Sequence, residues 1–235
     1  MSDWKDIFAD AKSIEISQII DLTELMTGCE RENKYKIKIK TEDGDKISWK
    51  AKEKSDCFSR QFCNPRQREF EIAIKDDDGD TVMKLKKPYA LACQDMCCLP
   101  EMTLLDKDND KTLGMIKLNC NLCPQIDISV YDEDDDIRFN IKSDCCPTAM
   151  VCKGTLFGLC CQELEIPVYN GSGKEVAYIK KKFRGCGAGF TDADTFFCKF
   201  KDDDLSTREK ALLMGACFMI DFCYFEDSPD DKDNN

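Results

Sequence analysis

Hydrophobic and polar residues alternate with a period of two along most of the chain. The clearest run is KYKIKIK at residues 34–40, followed by the acidic turn TEDGD and by KISWKA. The same order of strand, turn and strand recurs in REFEIAIK-DDDGD-TVMKLKK and in QIDISVY-DEDDD-IRFNIK. Such alternation predicts strands with one buried face, and acidic turns containing Asp-Gly predict β-hairpins.

Two longer units, residues 70–117 and 126–182, each contain two hairpins joined by a Cys-rich connector. A last strand is predicted at residues 195–200. About eleven short strands with no long helix between them predict one antiparallel sheet, closed as a barrel. The apolar residues of positions 3–26 have helical spacings that end at Thr27-Gly28, so we predict an N-terminal helical segment over residues 1–28.

The most apolar run is LLMGACFMIDFCYFE at residues 212–226. Ser206 and Glu209 before it have the spacing of a capping box, which predicts a helix start. The helix is apolar on nearly all sides and must be buried in protein or in lipid. It could be a membrane anchor, a helix-dimer seam or a core helix.

Length and charge favour the core helix. The apolar stretch is about fifteen residues, roughly 22 Å, whereas a bilayer core needs ~20 residues. Asp221 would oppose membrane insertion; in a protein core we expect it to bond to strand groups or to a Lys or Arg. Ala211 and Gly215 permit close approach to another helix or to surrounding strands. We therefore predict a barrel over residues 29–226 with a central helix at 206–225, followed by an acidic disordered tail at 227–235.

Composition narrows the classes of function. The net charge of −12 argues against general nucleic-acid binding, which needs an excess of Lys and Arg. The absence of His removes the usual general base and the commonest nitrogen ligand for zinc. The seventeen Cys and the absence of a secretory signal at the start predict a reducing compartment with mostly free thiols.

Four motifs resemble the phospholipid scramblase family and occur in the family's order, over roughly residues 16–226. They are MTGCERENKYKI (26–37), SDCFSRQFC (55–63), FTDADTF (190–196) and MGACFMIDFCYFE (214–226). The resemblance implies a mainly β fold: a closed antiparallel twelve-stranded tubby-like β-barrel around a central hydrophobic C-terminal α-helix. It also implies calcium-dependent, ATP-independent, bidirectional movement of phospholipids between leaflets, without a catalytic centre.

The resemblance further implies attachment to the cytoplasmic face of the plasma membrane or other membranes by palmitoylated Cys, with the cytosol and nucleus as alternatives. Membrane phospholipids are the expected partners, together with protein partners. One alternative function is a lipid- or protein-binding adaptor that does not transport. A third hypothesis, a metal-binding scaffold, rests on the Cys count alone.

The family's calcium segment corresponds to Asp192, Asp194 and Asp203, which stand at positions one, three and twelve of an EF-hand spacing. Phe197 stands at position six, where an EF-hand has Gly, and TFFCKF is typical of a strand. The alternative is therefore a strand flanked by solvated acids. Other acidic turns could also hold Ca²⁺ loosely.

The cysteines allow several interpretations. The family's palmitoylated cluster corresponds to Cys93, Cys97 and Cys98, and the matching connector offers Cys145, Cys146, Cys160 and Cys161 as alternatives. Cys120-x-x-Cys123 has the spacing of one half of a zinc ribbon, but no second CxxC follows, so a Cys₄ site would have to be assembled from distant pairs. Cys198, Cys217 and Cys223 are expected to be small buried core residues.

Two basic clusters could contact anionic lipid. The first lies on one side of the first predicted strand, and the second follows residue 179. Solvated outer barrel faces are the alternative for both clusters. Their members are Lys34, Lys36, Lys38 and Lys40, and Lys180, Lys181, Lys182 and Arg184.

Overall fold

A computed structural model describes residues 3–19, 32–44, 46–64, 66–90, 99–107, 111–121, 125–144, 163–182 and 195–226. In this part of the chain, twelve strands form one closed antiparallel barrel. Each strand pairs with its neighbours in sequence, and β1 closes the barrel by pairing with both β2 and β12. The mainly β class and the closed twelve-stranded barrel are therefore confirmed.

The elements have the following bounds. The strands are β1 (Ala11–Ile19), β2 (Lys34–Thr41), β3 (Lys46–Lys54), β4 (Phe70–Lys75), β5 (Thr81–Lys87), β6 (Glu101–Asp106), β7 (Thr112–Leu118), β8 (Asp127–Tyr131), β9 (Ile137–Lys142), β10 (Glu163–Asn170), β11 (Glu175–Lys182) and β12 (Thr195–Phe200). The helices are α1 (Trp4–Ala9), α2 (Cys57–Phe62) and α3 (Thr207–Ile220), and a π-helical turn (Asp221–Phe225) continues α3.

Helix α3 is surrounded by the strands. All of its residues from Lys210 to Ile220 are buried. Its contacts reach several parts of the wall: Phe218 packs edge-on against Tyr35 of β2 at 5.0 Å, and the following Phe222 stacks on Phe70 of β4 at 4.1 Å. The capping box between Ser206 and Glu209 is present. The structure thus favours the core helix over the membrane anchor and the dimer seam.

The N-terminal segment corrects one prediction. Helix α1 ends at Ala9, and residues 11–19 form strand β1 rather than a helix. In β1, Ile14 and Ile16 are two residues apart and both point into the core, which suits a β-branched side chain on a pleated strand. The predicted helix over residues 1–28 is therefore wrong for residues 11–19, and residues 20–31 lie outside the described part.

Helix α1 covers the barrel end where α3 begins. Phe8 is fully buried and packs against Trp49 of β3, with ring centroids 5.7 Å apart. The Lys210 Nζ donates a hydrogen bond to the Ala9 carbonyl at 2.8 Å, and Trp4 Nε1 donates to Asp106 at 3.1 Å. These contacts fix α1 against both the central helix and the wall.

Replacement of Gly215 by Lys tests the core position of α3. A Cβ atom at Gly215 would lie 2.9 Å from Ile116 Cδ1 and 3.2 Å from Leu85 Cδ2. Overpacking costs about 1–3 kcal/mol, and an unpaired buried charge costs several more. We expect Gly215→Lys to lower the free energy of unfolding by at least about 3 kcal/mol in chemical denaturation.

The matched control is Gly171→Lys, which adds the same side chain in an exposed turn with no atom within 4 Å of the new Cβ. We expect this control to unfold like the wild type. Equal stability of the two variants would contradict a central helix packed against the wall.

Candidate functional site

The four lysines of β2 lie on the outer surface of the barrel. Lys34, Lys36 and Lys40 are exposed, and Lys38 is partly exposed and forms an ion pair with Glu15 at 2.6 Å. Their intervening neighbours, among them Ile37 and Ile39, are buried. The structure therefore brings the first predicted basic cluster together on one face.

The register of the strands brings further basic residues, outside the two predicted clusters, onto the same face. Strand β3 places further lysines on the same outer face, and β4 adds one more. The sequence KISWKAKEK already indicates a lysine-rich strand face, because its lysines recur at a period of two. Only the pairing of the strands shows that this face adjoins the lysines of β2. These residues are Lys46, Lys50, Lys52, Lys54 and Lys75.

The residues of the second predicted basic cluster lie on opposite faces of the barrel wall. Lys180 and Lys182 point outward, and both lie near Glu163, at 2.7 and 3.4 Å. Lys181 is fully buried and cannot contact a lipid surface, because successive strand residues point to opposite faces. The predicted lipid contact is therefore wrong for Lys181, and Arg184 lies outside the described residues.

Lys181 instead belongs to a polar group at the end of the central helix. Its Nζ lies 3.6 Å from Asp221 Oδ1, and 4.4 and 4.3 Å from the ring centroids of Phe196 and Phe225. The Tyr35 hydroxyl donates to Asp221 Oδ2 at 3.1 Å. Burial and the nearby carboxylate raise the pKa of Tyr35 well above its usual value. The expected pairing of Asp221 with strand groups and a Lys is confirmed.

A second buried group joins two carboxylates to one guanidinium. Arg68 Nη2 lies 3.1 Å from Glu53 and 2.6 Å from Glu226, and Asn33 Nδ2 donates to the same two carboxylates at 2.8 and 3.0 Å. Burial raises the pKa of Glu226 to about 8, although the positive charge of Arg68 opposes the shift. Close by, burial lowers the pKa of Lys87 to about 8.

Of the predicted calcium ligands, the structure describes Asp203 alone. Its carboxylate accepts a hydrogen bond from Lys12 Nζ at 2.8 Å, and this contact lowers its pKa. Asp203 follows the end of β12, a six-residue strand roughly 17 Å long. Asp192 and Asp194 precede that strand and lie outside the described residues. Among described residues, no group of three or more Cys, Asp or Glu is arranged to hold a metal.

The described cysteines include both buried and exposed thiols. Cys198, Cys217 and Cys223 are buried, which confirms the expected core positions. Burial raises the pKa of Cys223 to about 11. Cys57 and Cys120 are exposed. The other predicted attachment or zinc cysteines lie outside the described residues: Cys93, Cys97, Cys98, Cys123, Cys145, Cys146, Cys160 and Cys161.

The fold and these motifs define a mainly β barrel closed around a core helix. A family model described as Scramblase matches residues 4–227. The chain therefore belongs to the scramblase family, as its motifs indicated.

Curated relatives extend the same similarity. The chain is 32% identical to human phospholipid scramblase 1 over 91% of its own length and 63% of that protein. It is 33% identical to bovine phospholipid scramblase 2 over 90% of its length and 67% of that protein, and 27% identical to human phospholipid scramblase 4 over 92% and 62%. The chain thus spans about two thirds or less of the length of these relatives.

Among solved structures, a porin-like protein from Bacteroides uniformis aligns with 81% of this chain and 97% of that chain, at 10% identity and a TM-score of 0.24. That similarity is too low to carry an argument. Within the described part of the chain, every helix is too short or too polar to cross a membrane.

The Glu226 site predicts a defined pH dependence of stability. The folded protein holds the Glu226 proton up to about pH 8, whereas the reference glutamate pKa is 4.5. Stability from this group is therefore present at low pH and is lost as pH rises from about 5 to 8, with a slope of up to ~1.4 kcal/mol per pH unit. In Glu226→Gln this loss is absent.

We expect the stability of Glu226→Gln, relative to the wild type, to increase between pH 5 and pH 8 in chemical denaturation. The control is Glu163→Gln, because contacts with Lys180 and Lys182 lower the pKa of Glu163 and place its titration below this window. A constant difference between Glu226→Gln and the wild type would show that Glu226 is ionised throughout.

Proposed function

We propose that this chain mediates calcium-dependent, ATP-independent, bidirectional movement of phospholipids between membrane leaflets. The observation that carries the proposal is the match of the scramblase family model to residues 4–227. The relatives named phospholipid scramblase support phospholipid as the substrate. Movement down a concentration gradient needs no catalytic centre, so the proposal assigns no catalytic residue.

The packing of the barrel supports a route outside its interior. The side chains of α3 fill the described interior, where Leu212, Leu213 and Met214 are fully buried. A closed, filled barrel of this size leaves no apolar passage for an acyl chain. We therefore propose that lipid moves along the outer surface of the protein, with the core helix acting as structural support.

Calcium dependence and membrane attachment are parts of this proposal. Asp192, Asp194 and Asp203 are the proposed Ca²⁺ ligands, since carboxylate oxygens are the ligands that Ca²⁺ prefers. Cys93, Cys97 and Cys98 are the proposed palmitoylation sites. Two or more acyl chains give stable attachment, whereas one is marginal.

A second candidate is a lipid- or protein-binding adaptor at the cytoplasmic membrane face. The filled interior favours the adaptor, because the most apolar helix is buried in the core of the barrel. The Asp203–Lys12 ion pair also favours it, because it neutralises one proposed calcium ligand.

Reconstitution separates the two candidates. We expect the purified chain in vesicles with fluorescent phospholipid to increase the fraction of probe accessible to an external quencher when Ca²⁺ is added. In Asp192→Asn/Asp194→Asn the calcium response should fall at least about tenfold, since two hard oxygen ligands lose their charge. The measurement is the initial rate of quenching.

The control is Asp77→Asn/Asp78→Asn, which removes two exposed carboxylates from the β4–β5 turn with the same change in net charge. This variant should respond like the wild type. If the wild type gives no calcium-dependent gain, the transport proposal fails and the adaptor stands.

Attachment by acylation predicts a hydroxylamine-sensitive label on the protein expressed in cells. We expect acyl exchange to label the wild type and to fall below half in Cys93→Ala/Cys97→Ala/Cys98→Ala, because thioesters are formed at Cys. The control Cys57→Ala removes an exposed thiol outside this cluster and should keep the label. Full labelling of the triple variant would place attachment elsewhere.

A further inference from the structure

The outer face of β2, β3 and β4 places lysines directly opposite lysines. The register pairs Lys36 with Lys50 and Lys40 with Lys46 across β2 and β3, and Lys50 also lies opposite Lys75 of β4. Lys34 and Lys52 form a further such pair. Like charges directly opposite each other in a sheet are destabilising. This arrangement therefore weakens the free barrel and is not explained by folding.

The lysines of β11 give an internal contrast. Across β10 and β11, Lys182 lies opposite Glu163 and Lys180 lies opposite Glu165. These are the opposite-charge pairs that stabilise a sheet. The same barrel thus neutralises lysines on one side and concentrates them on another, although its net charge is −12.

We name the nine lysines of β2, β3 and β4 the basic face: Lys34, Lys36, Lys38, Lys40, Lys46, Lys50, Lys52, Lys54 and Lys75. Acidic residues lie at its margins. Lys38 pairs with Glu15, Lys52 pairs with Glu32 at 3.0 Å, and Lys34 makes a further interaction.

Glu71 lies opposite Lys54, but its carboxylate is turned to Lys84 and Lys86 of β5, at 3.9 and 3.7 Å. The remaining six lysines form no ion pair with another described residue. They are Lys36, Lys40, Lys46, Lys50, Lys54 and Lys75.

We propose that the basic face is the surface on which this barrel docks against an anionic membrane. The proposal rests on the proposed function in taking phospholipid as the partner. The proposed contact is the wall formed by β2, β3 and β4 and not the β11 cluster. In addition to the lysines of β2, it includes Lys46, Lys50, Lys52, Lys54 and Lys75.

The dimensions and chemistry of the basic face suit a membrane. Its lysines extend over roughly 20 Å along β2, and the three strands are ~5 Å apart, so the charges form a broad two-dimensional array. Every cation on the face is Lys and none is Arg. Lys acts as a point charge, whereas Arg is preferred where single phosphates are bound in a bidentate manner.

A nucleic acid is a less suitable occupant. The described strand residues of the basic face offer no exposed aromatic ring for base stacking, since Tyr35 and Trp49 point into the barrel. The net charge of −12 would also repel a long polyanion that extends beyond the face. A membrane contacts the face without wrapping the acidic remainder of the protein.

The test is partition of the purified chain, added from outside, onto preformed vesicles. We expect binding to vesicles of 70% phosphatidylcholine and 30% phosphatidylserine, and at least tenfold weaker binding to phosphatidylcholine alone. In Lys36→Gln/Lys50→Gln the partition coefficient on anionic vesicles should fall at least tenfold, since each lysine near such a surface contributes about fivefold. Raising the salt to ~0.5 M should abolish binding of the wild type.

The matched control is Lys180→Gln/Lys182→Gln, which changes net charge equally at lysines that face Glu163 and Glu165. Its partition should change less than twofold. The thermal midpoint of Lys36→Gln/Lys50→Gln should equal or exceed that of the wild type, because a like-charge pair is removed. Loss of binding in this variant then cannot come from unfolding.

Three outcomes would overturn the proposal. They are equal loss in the two double variants, unchanged binding of Lys36→Gln/Lys50→Gln, and wild-type binding to duplex DNA without binding to anionic vesicles. No movement of lipid is measured in this assay. A chain that docks through the basic face but fails to scramble lipid upholds the inference and defeats the proposed transport function.

Discussion

The enclosure of helix α3 is the constraint on which the rest of the structure depends. A helix that is apolar on all sides must be covered on all sides, and a closed sheet of twelve strands supplies that cover. Gly215 and Gly114 allow the helix and wall to approach closely, since a Cβ at either would meet atoms at 3.0 Å or less. Burial of the helix therefore determines the size of the barrel and removes the helix from membrane contact.

The same enclosure forces the ionic groups at the end of α3 into pairs. Asp221 directly follows α3 inside the barrel, where an isolated charge is too costly. The side chain of Lys181 points inward from β11 and lies beside it. Glu226 directly follows the π-helical turn and shares Arg68 with Glu53. Burial, together with the nearby negative charge of Glu53, raises the pKa of Glu226 although Arg68 opposes the shift, and this makes the barrel end sensitive to pH.

Features that depend on the local spacing of hydrophobic residues can be predicted from the sequence. Features that depend on closure of the barrel cannot. The alternation of hydrophobic and polar residues predicts the hairpins, and the apolar run with its capping box predicts α3. The run of lysines at 180–182 resembles one basic cluster in the sequence, although the period of two along a strand implies that Lys181 faces inward. Arg68, Glu53 and Glu226 are far apart in the chain and meet because the barrel closes, so no local pattern could have united them. For β1, short-range Ile spacing fitted both helix and strand, and pairing with β2 and β12 decided the outcome.

The outer surface is free of the packing constraint, so its charge pattern carries information about function. A barrel wall needs polar residues outside, but it does not need lysine opposite lysine on adjacent strands. Between β10 and β11, by contrast, lysine lies opposite glutamate, which stabilises the sheet. The basic face departs from that rule in a chain with an excess of acidic residues. With the central helix enclosed, electrostatic contact through the wall is a means of membrane association that the fold leaves open.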